Sequence, residues 1–252
     1  MLKKRIIPLV LVKDLTTVKG VSFDSWRRVG SITQAVKIFS LRDVDELIIL
    51  DISATPKKRP PCFNIIKDQA KFSSMPLTVG GGIKSIEDIK QLLMNGADKV
   101  SICSELISNI NLVKEASSVF GSQCITAAID IKKIENKYFI SYNCGKSIHN
   151  YDMVDFLKKV QDLGAGEFLF NFVQKDGKMN GYDLEFFEKL PNFIEIPIIL
   201  AGGCGSYKHM LDAFQFEKIS AVAAGSIFYF TELTPTDANL FLKENGISVR
   251  KL

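Results

Sequence analysis

A single (β/α)8 barrel, an α/β fold of the TIM type, is the architecture this sequence predicts, and three observations predict it. Short β-branched or aliphatic runs alternate with amphipathic stretches along the chain, the pattern of parallel strands joined by helical crossovers. A length of 252 residues suits one closed barrel. An open doubly wound sheet would share both features, but the chain also repeats itself. "VDELIILDI" (44–52) and "GAGEFLFNFV" (164–173) place Glu46 and Glu167 121 residues apart, and "PLTVGGGIKS" (76–85) matches "PIILAGGCGS" (197–206) at the same offset of 121. Ser104 and Ser226 lie 122 apart, and "IIPLVLVKD" lies over "ITAAIDIKK" at 119. Two four-stranded halves, about 1–122 and 123–252, describe a two-fold symmetric barrel forming one domain over 1–252.

The strands are expected at 5–12, 46–52, 76–80, 99–103, 124–131, 167–173, 196–201 and 220–225. Helical patterns fill the gaps as "SITQAVKIFSL", "SIEDIKQLLMNG", "NINLVKEASSVFG", "YDMVDFLKKVQDLG" and "SYKHMLDAFQF". In the second of these Ser85 can cap the start, Glu87 and Asp88 suit the positive end of the dipole, and Gly96 can close the helix. After the sixth strand, Asp176-Gly177 reads as a turn and Tyr182-Asp183 as the start of the next helix, within a long polar loop suited to facing a ligand.

A net charge of +4 with intermixed signs leaves no nucleic-acid footprint. "PKKRP" (56–60) is a short basic loop, suited either to solvent or to an acidic ligand. Five cysteines without a C-x-x-C pair point to reduced thiols in a cytoplasmic protein, mostly filling core positions. With only His149 and His209, neither a zinc site nor a Ser-His-Asp triad is expected, and neither metal nor cofactor is assigned. The short apolar run after Met1 lacks the h-region of a signal peptide, and no run approaches a membrane span.

Function in such barrels sits at the carboxyl ends of the strands. Gly81-Gly82 and Gly202-Gly203 follow the third and seventh strands, while Ser104 and Gly225-Ser226 follow the fourth and eighth. Glycines bring backbone N–H groups close to a ligand, so these pairs read as two anion cradles for a ligand with a phosphate at each end. At the opposite end, Arg5, Glu46, Lys99 and Glu167 begin four strands. Spacing alone makes them a salt-bridge plug closing the barrel floor. The fifth strand ends its apolar run at Asp130, whereas its counterpart in the first strand is Leu11.

These stretches resemble the HisF family, the cyclase subunits of imidazole glycerol phosphate synthase, over essentially the whole chain. The similarity rests on "KRIIP", "VKG" (18–20), "DEL…LDI", "PLTVGGGI", "GADKVSI", "FGSQC", "AID", "KDG…GYDL" and the terminal Gly-Gly and Gly-Ser motifs. The resemblance implies a HisH-type glutaminase docked on the barrel floor, and ammonia passing through the barrel to a bisphosphate at the mouth. It recasts Arg5, Glu46, Lys99 and Glu167 as an ammonia gate, and it places Asp98 and Gln123 at the glutaminase interface. It assigns phosphate binding to Gly82, Ser104, Asp176, Gly177, Gly203, Gly225 and Ser226, and keeps Lys19 in the first loop.

The departures cluster in the catalytic centre. The family uses two aspartates as general acid and base; Asp130 matches one, but Leu11 stands at the other and cannot transfer a proton. Cys103 replaces the usual Asn, and Asn171, Phe172 and Gln174 stand where Thr, Ser and Asp are usual. "LVLVKD", "AVKIFS…VDELIILDI" and "AAGSIF" are similar to the HisF-like branch associated with bacterial surface-sugar amidation. That resemblance implies ammonia delivered to a separate ATP-dependent enzyme that converts an acetamido group of a nucleotide-linked sugar into an acetamidino group. The expectation is therefore a barrel that conducts ammonia in such a complex. A working cyclase of histidine biosynthesis and a non-catalytic, ligand-sensing activator of the glutaminase are the alternatives.

Overall fold

Residues 3–190 and 192–250 are described by the computed structural model. The outer limits of the two predicted halves, residues 1 and 252, lie outside the described residues. Twelve strands follow one another along the described chain: β1 (Arg5–Lys13), β2 (Thr16–Val21), β3 (Asp24–Gly30), β4 (Leu47–Asp51), β5 (Leu77–Gly80), β6 (Lys99–Ile102), β7 (Ile125–Ile134), β8 (Lys137–Tyr142), β9 (Ser147–His149), β10 (Glu167–Phe172), β11 (Ile198–Ala201) and β12 (Ile219–Ala224). Eight of them, β1-β4-β5-β6-β7-β10-β11-β12, pair in parallel, and β12 returns to β1 so that the sheet closes. Helices between the strands cover its outer face, as the alternation predicts.

Successive residues of each strand face opposite ways, which splits the apolar core in two. Ile6, Val10, Leu47, Ile49 and Val79 pack outward under the helices. Ile7, Leu9, Leu11, Ile48, Leu169, Ile199 and Ala221 fill the barrel itself. All five predicted helices form, with no end trimmed by more than two residues. Ser85 accepts the Asp88 N–H while Asp88 reaches back to the cap, a reciprocal capping box, and Gly96 adopts φ +101° beyond the last turn.

Other expectations need correction. The helix after the long polar loop starts at Glu185 rather than at Tyr182-Asp183. Tyr182 is instead buried and donates its hydroxyl to Ala223 O, while Asp183 accepts from the Tyr138 hydroxyl. Of the cysteines only Cys204 is buried; Cys62, Cys103, Cys124 and Cys144 are half-buried free thiols, because strand ends and loops, not helix interiors, carry them. The basic loop is not simply solvated: Arg59 donates to Asp51 at 2.7 Å and to Ser53 at 2.8 Å, and Lys57 pairs with Asp14.

Two antiparallel excursions were not foreseen. Chain reversal at Asp14-Leu15 (φ +49°, +66°) folds β2–β3 back from β1, and reversal at Glu135-Asn136 (φ +47°, +62°) folds β8–β9 back from β7. Consecutive left-handed residues make the tight turn that matches strand twist, but Asp-Leu and Glu-Asn carry no glycine to advertise it. Both excursions leave matching positions of the two halves and rise over the barrel mouth. Among the described residues no helix is long and apolar enough to cross a membrane.

Candidate functional site

The floor of the barrel is a closed ring of alternating charge. Arg5 donates to Glu46 at 2.7 Å and to Glu167 at 3.0 Å; Lys99 donates to Glu167 at 2.8 Å and to Glu46 at 3.1 Å. All four residues sit at strand starts in the inward-facing register. Thr78 and Thr126 complete it by donating hydroxyls to Glu46 at 2.6 Å and Glu167 at 3.0 Å. Neither threonine was singled out from sequence, although each lies two residues before an inward position of its own strand. Burial works to raise the Glu167 carboxyl, but Lys99 and Arg5 outweigh it and hold the group below its usual range. Side-chain exposures of 2% for Glu46 and 7% for Glu167 mean that the anions are almost fully enclosed, while Lys99 at 20% reaches outward. Asp98 and Gln123 are exposed at adjacent strand starts on this face; Asp98 accepts the Leu77 N–H at 2.8 Å and Gln123 donates to Phe120 O at 3.3 Å.

At the mouth, Leu11 and Asp130 line one cavity of about 100 Å³, as their matching positions predict. Leu11 registers beside Leu50 and Asp130 beside Asn171, so one wall is apolar and the other polar. Phe23 and Trp26 of the first excursion and Cys144 beyond β8 also line it. Burial pushes the Asp130 carboxyl up to about 7, against the Cys103 thiol, which donates to it at 3.4 Å; Asp176 adds to the rise. An acid near neutrality can serve as proton donor or acceptor. Leu11 supplies no second group.

The two predicted cradles differ. Lys19, Asp176, Gly177, Gly203, Gly225 and Ser226 do converge on one small pocket between β1, β11 and β12. Lys19 donates to Leu9 O at 2.6 Å; burial lowers its ammonium to about 8, with Asp176 opposing. The same burial pushes Asp176 up to about 6, with Lys19 and the N–H groups of Gly177 and Phe23 opposing. A side chain at Gly225 would place its Cβ 2.2 Å from the Lys19 nitrogen and displace the ammonium from its present position. On the other side, Ser104 and Gly81 line the mouth cavity, but Gly82 is packed under Ala54 and Arg59. The Ser104 hydroxyl accepts the Asn143 N–H at 3.3 Å. Gly82 and Ser104 are therefore not brought into a shared pocket as Gly203 and Ser226 are, because the 53–62 loop covers Gly82 while Ser104 lines the mouth cavity.

Comparison with known proteins places this geometry. Residues 5–234 match the family described as histidine biosynthesis protein. The imidazole glycerol phosphate synthase subunit HisF of Flavobacterium johnsoniae is 41% identical over 250 residues, spanning 99% of this chain and 100% of that protein. Proteins of the same name from Clostridium botulinum and Hydrogenobaculum are 40% and 39% identical over 252 and 251 residues. With a closed parallel barrel and this similarity over nearly its full length, the chain belongs to the HisF family of histidine-biosynthesis barrels.

Proposed function

We propose that the chain is the barrel subunit of a glutamine-dependent synthase of the imidazole glycerol phosphate type. A HisH-type glutaminase docks on the floor beside Asp98 and Gln123, and ammonia enters through the ring of Arg5, Glu46, Lys99 and Glu167. The ring is the observation that carries this reading: four ionic side chains inside a barrel floor cost desolvation that an apolar plug would avoid. The phosphorylated ligand is held at the mouth by Lys19, Gly177, Gly203, Gly225 and Ser226, and Asp130 moves the proton. The similarity to imidazole glycerol phosphate synthase HisF subunits supports this cyclase reading, so it precedes the sugar-amidation role expected first from sequence.

Sugar amidation remains a second reading because of one observation, the apolar Leu11–Leu50 wall facing Asp130. There the barrel relays ammonia to a separate ATP-dependent amidotransferase, and the mouth ligand switches on the glutaminase. Turnover of the synthase's bisphosphate substrate with excess ammonium decides between them. A cyclase short of one acid should turn over measurably and gain roughly 10²–10⁴-fold in Leu11→Asp. Absence of turnover in both proteins, with glutaminase stimulation retained, would sink the cyclase reading in favour of relay.

A further inference from the structure

Acid–base chemistry at the mouth calls for a group that takes a proton and a group that gives one, and Leu11 leaves Asp130 to do both. What surrounds that carboxyl decides whether it can. Among the described residues one hydrogen-bond donor reaches it, the Cys103 thiol at 3.4 Å. Cys103 lies just past the end of β6, where the ladder to β7 closes at Ile102 and Ala127, so its sulfur meets a residue farther along β7. Around the pair lie Leu11, Phe23, Trp26, Leu50, Ala128 and Leu169, an apolar lining that withholds water from both.

A thiol is a weak donor. An amide or hydroxyl in its place would stabilise the carboxylate and pull the group back toward its ordinary range. With the thiol there, burial stays the larger influence and Asp130 titrates at about 7. Burial also holds the Cys103 thiol well above its ordinary value, which keeps its S–H in place as a donor at working pH. The other titratable groups near Asp130 are Cys144 beyond β8, with Lys146 beside it, Asp176 after β10, and Asp51 at the end of β4. Arg59 holds Asp51, Lys19 faces Asp176, and Lys132 is turned onto Gly145 O.

We propose that Cys103 is a positioning residue that aims the Asp130 carboxyl without claiming its proton, so that this one carboxyl serves first as base and then as acid. The proposal rests on the cyclase reading under the preceding heading. The carboxylate takes a proton as ammonia is incorporated and hands the same proton to the leaving group, so Asp130 ends each cycle as it began.

With isotope-labelled aspartate carboxyls in the full chain, NMR follows the Asp130 resonance, identified as the one missing from Asp130→Asn. Cys103→Ser, and Cys103→Asn with its longer reach, should lower the Asp130 midpoint by about one unit, a tenfold loss of proton affinity. Cys103→Ala leaves no donor and should raise it. Opposite shifts at one position separate proton tuning from packing, and the dispersion of the spectra shows that the fold is kept. In ammonium-dependent turnover, kcat/KM should show one ionisation limb near pH 7, moving in the same sense as the NMR midpoint. Absence of turnover with the NMR shifts as expected would overturn the cyclase reading and leave the tuning of Asp130 by Cys103 standing. A midpoint unmoved in both donor variants, shifts of one sign in all three, or a limb that ignores the substitutions would each overturn the proposal.

Discussion

Asp130 shows how one buried carboxyl links site and stability. Its native value near 7 lies above the ordinary 3.8, so the folded chain keeps this proton after the unfolded chain has lost it. Stability attributable to the group therefore falls as pH rises from about 4 to about 7 and is constant beyond. Asp130→Asn removes the dependence. The variant is expected to gain thermal midpoint at pH 8 relative to wild type, by roughly 2–4 °C for each kcal/mol recovered, and to show no gain at pH 4. A gain that is the same at both pH values would mean that the carboxyl titrates normally. That Asp130 and Leu11 matter was legible from the repeat alone. That Cys103 is the group touching Asp130 was not, since a thiol 27 residues away reaches it only through the pairing of β6 with β7.

Elements place these residues, and their ends carry the strongest local signals. The capping box at Ser85 was readable because capping acts over three residues. Ser85→Ala should cost about 1 kcal/mol, seen as a midpoint lower by about 2–4 °C with the mouth chemistry untouched. Gly177 makes a different demand. It holds φ +72°, and a Cβ there would lie 2.0 Å from Gly20 O, where the first excursion crosses the sixth loop. Gly177→Ala is expected to push those segments apart, costing about 1–3 kcal/mol and weakening retention of inorganic phosphate beside Lys19. Phosphate affinity unchanged within twofold would show that the contact serves packing alone. The glycine was visible in sequence as a turn, but its second role depends on a segment more than 150 residues away.

Across the whole molecule the floor and the mouth are separate assays. Glu46→Ala leaves Glu167 as the one carboxylate of the ring for Arg5 and Lys99 and strips the Thr78 hydroxyl of its acceptor. Breaking a buried ion pair of this kind costs about 3 kcal/mol. In complex with the glutaminase, the variant should alter glutamine-dependent product formation severalfold while ammonium-dependent formation changes less than about twofold. Equal loss in both assays would restore the salt-plug interpretation of the ring. The barrel, its eight strands, its half-barrel repeat, the inward register of the four floor charges and the unequal pair Leu11/Asp130 were all determined by sequence, because side-chain period, capping and repetition act within or between matching stretches. Only the tertiary structure decided that the charges close into one ring with two threonines, that two excursions roof the mouth, and that Gly203 and Ser226 share one pocket whereas Gly82 and Ser104 do not. Those contacts join residues tens to hundreds of positions apart, and only closure of the sheet brings them within hydrogen-bond reach.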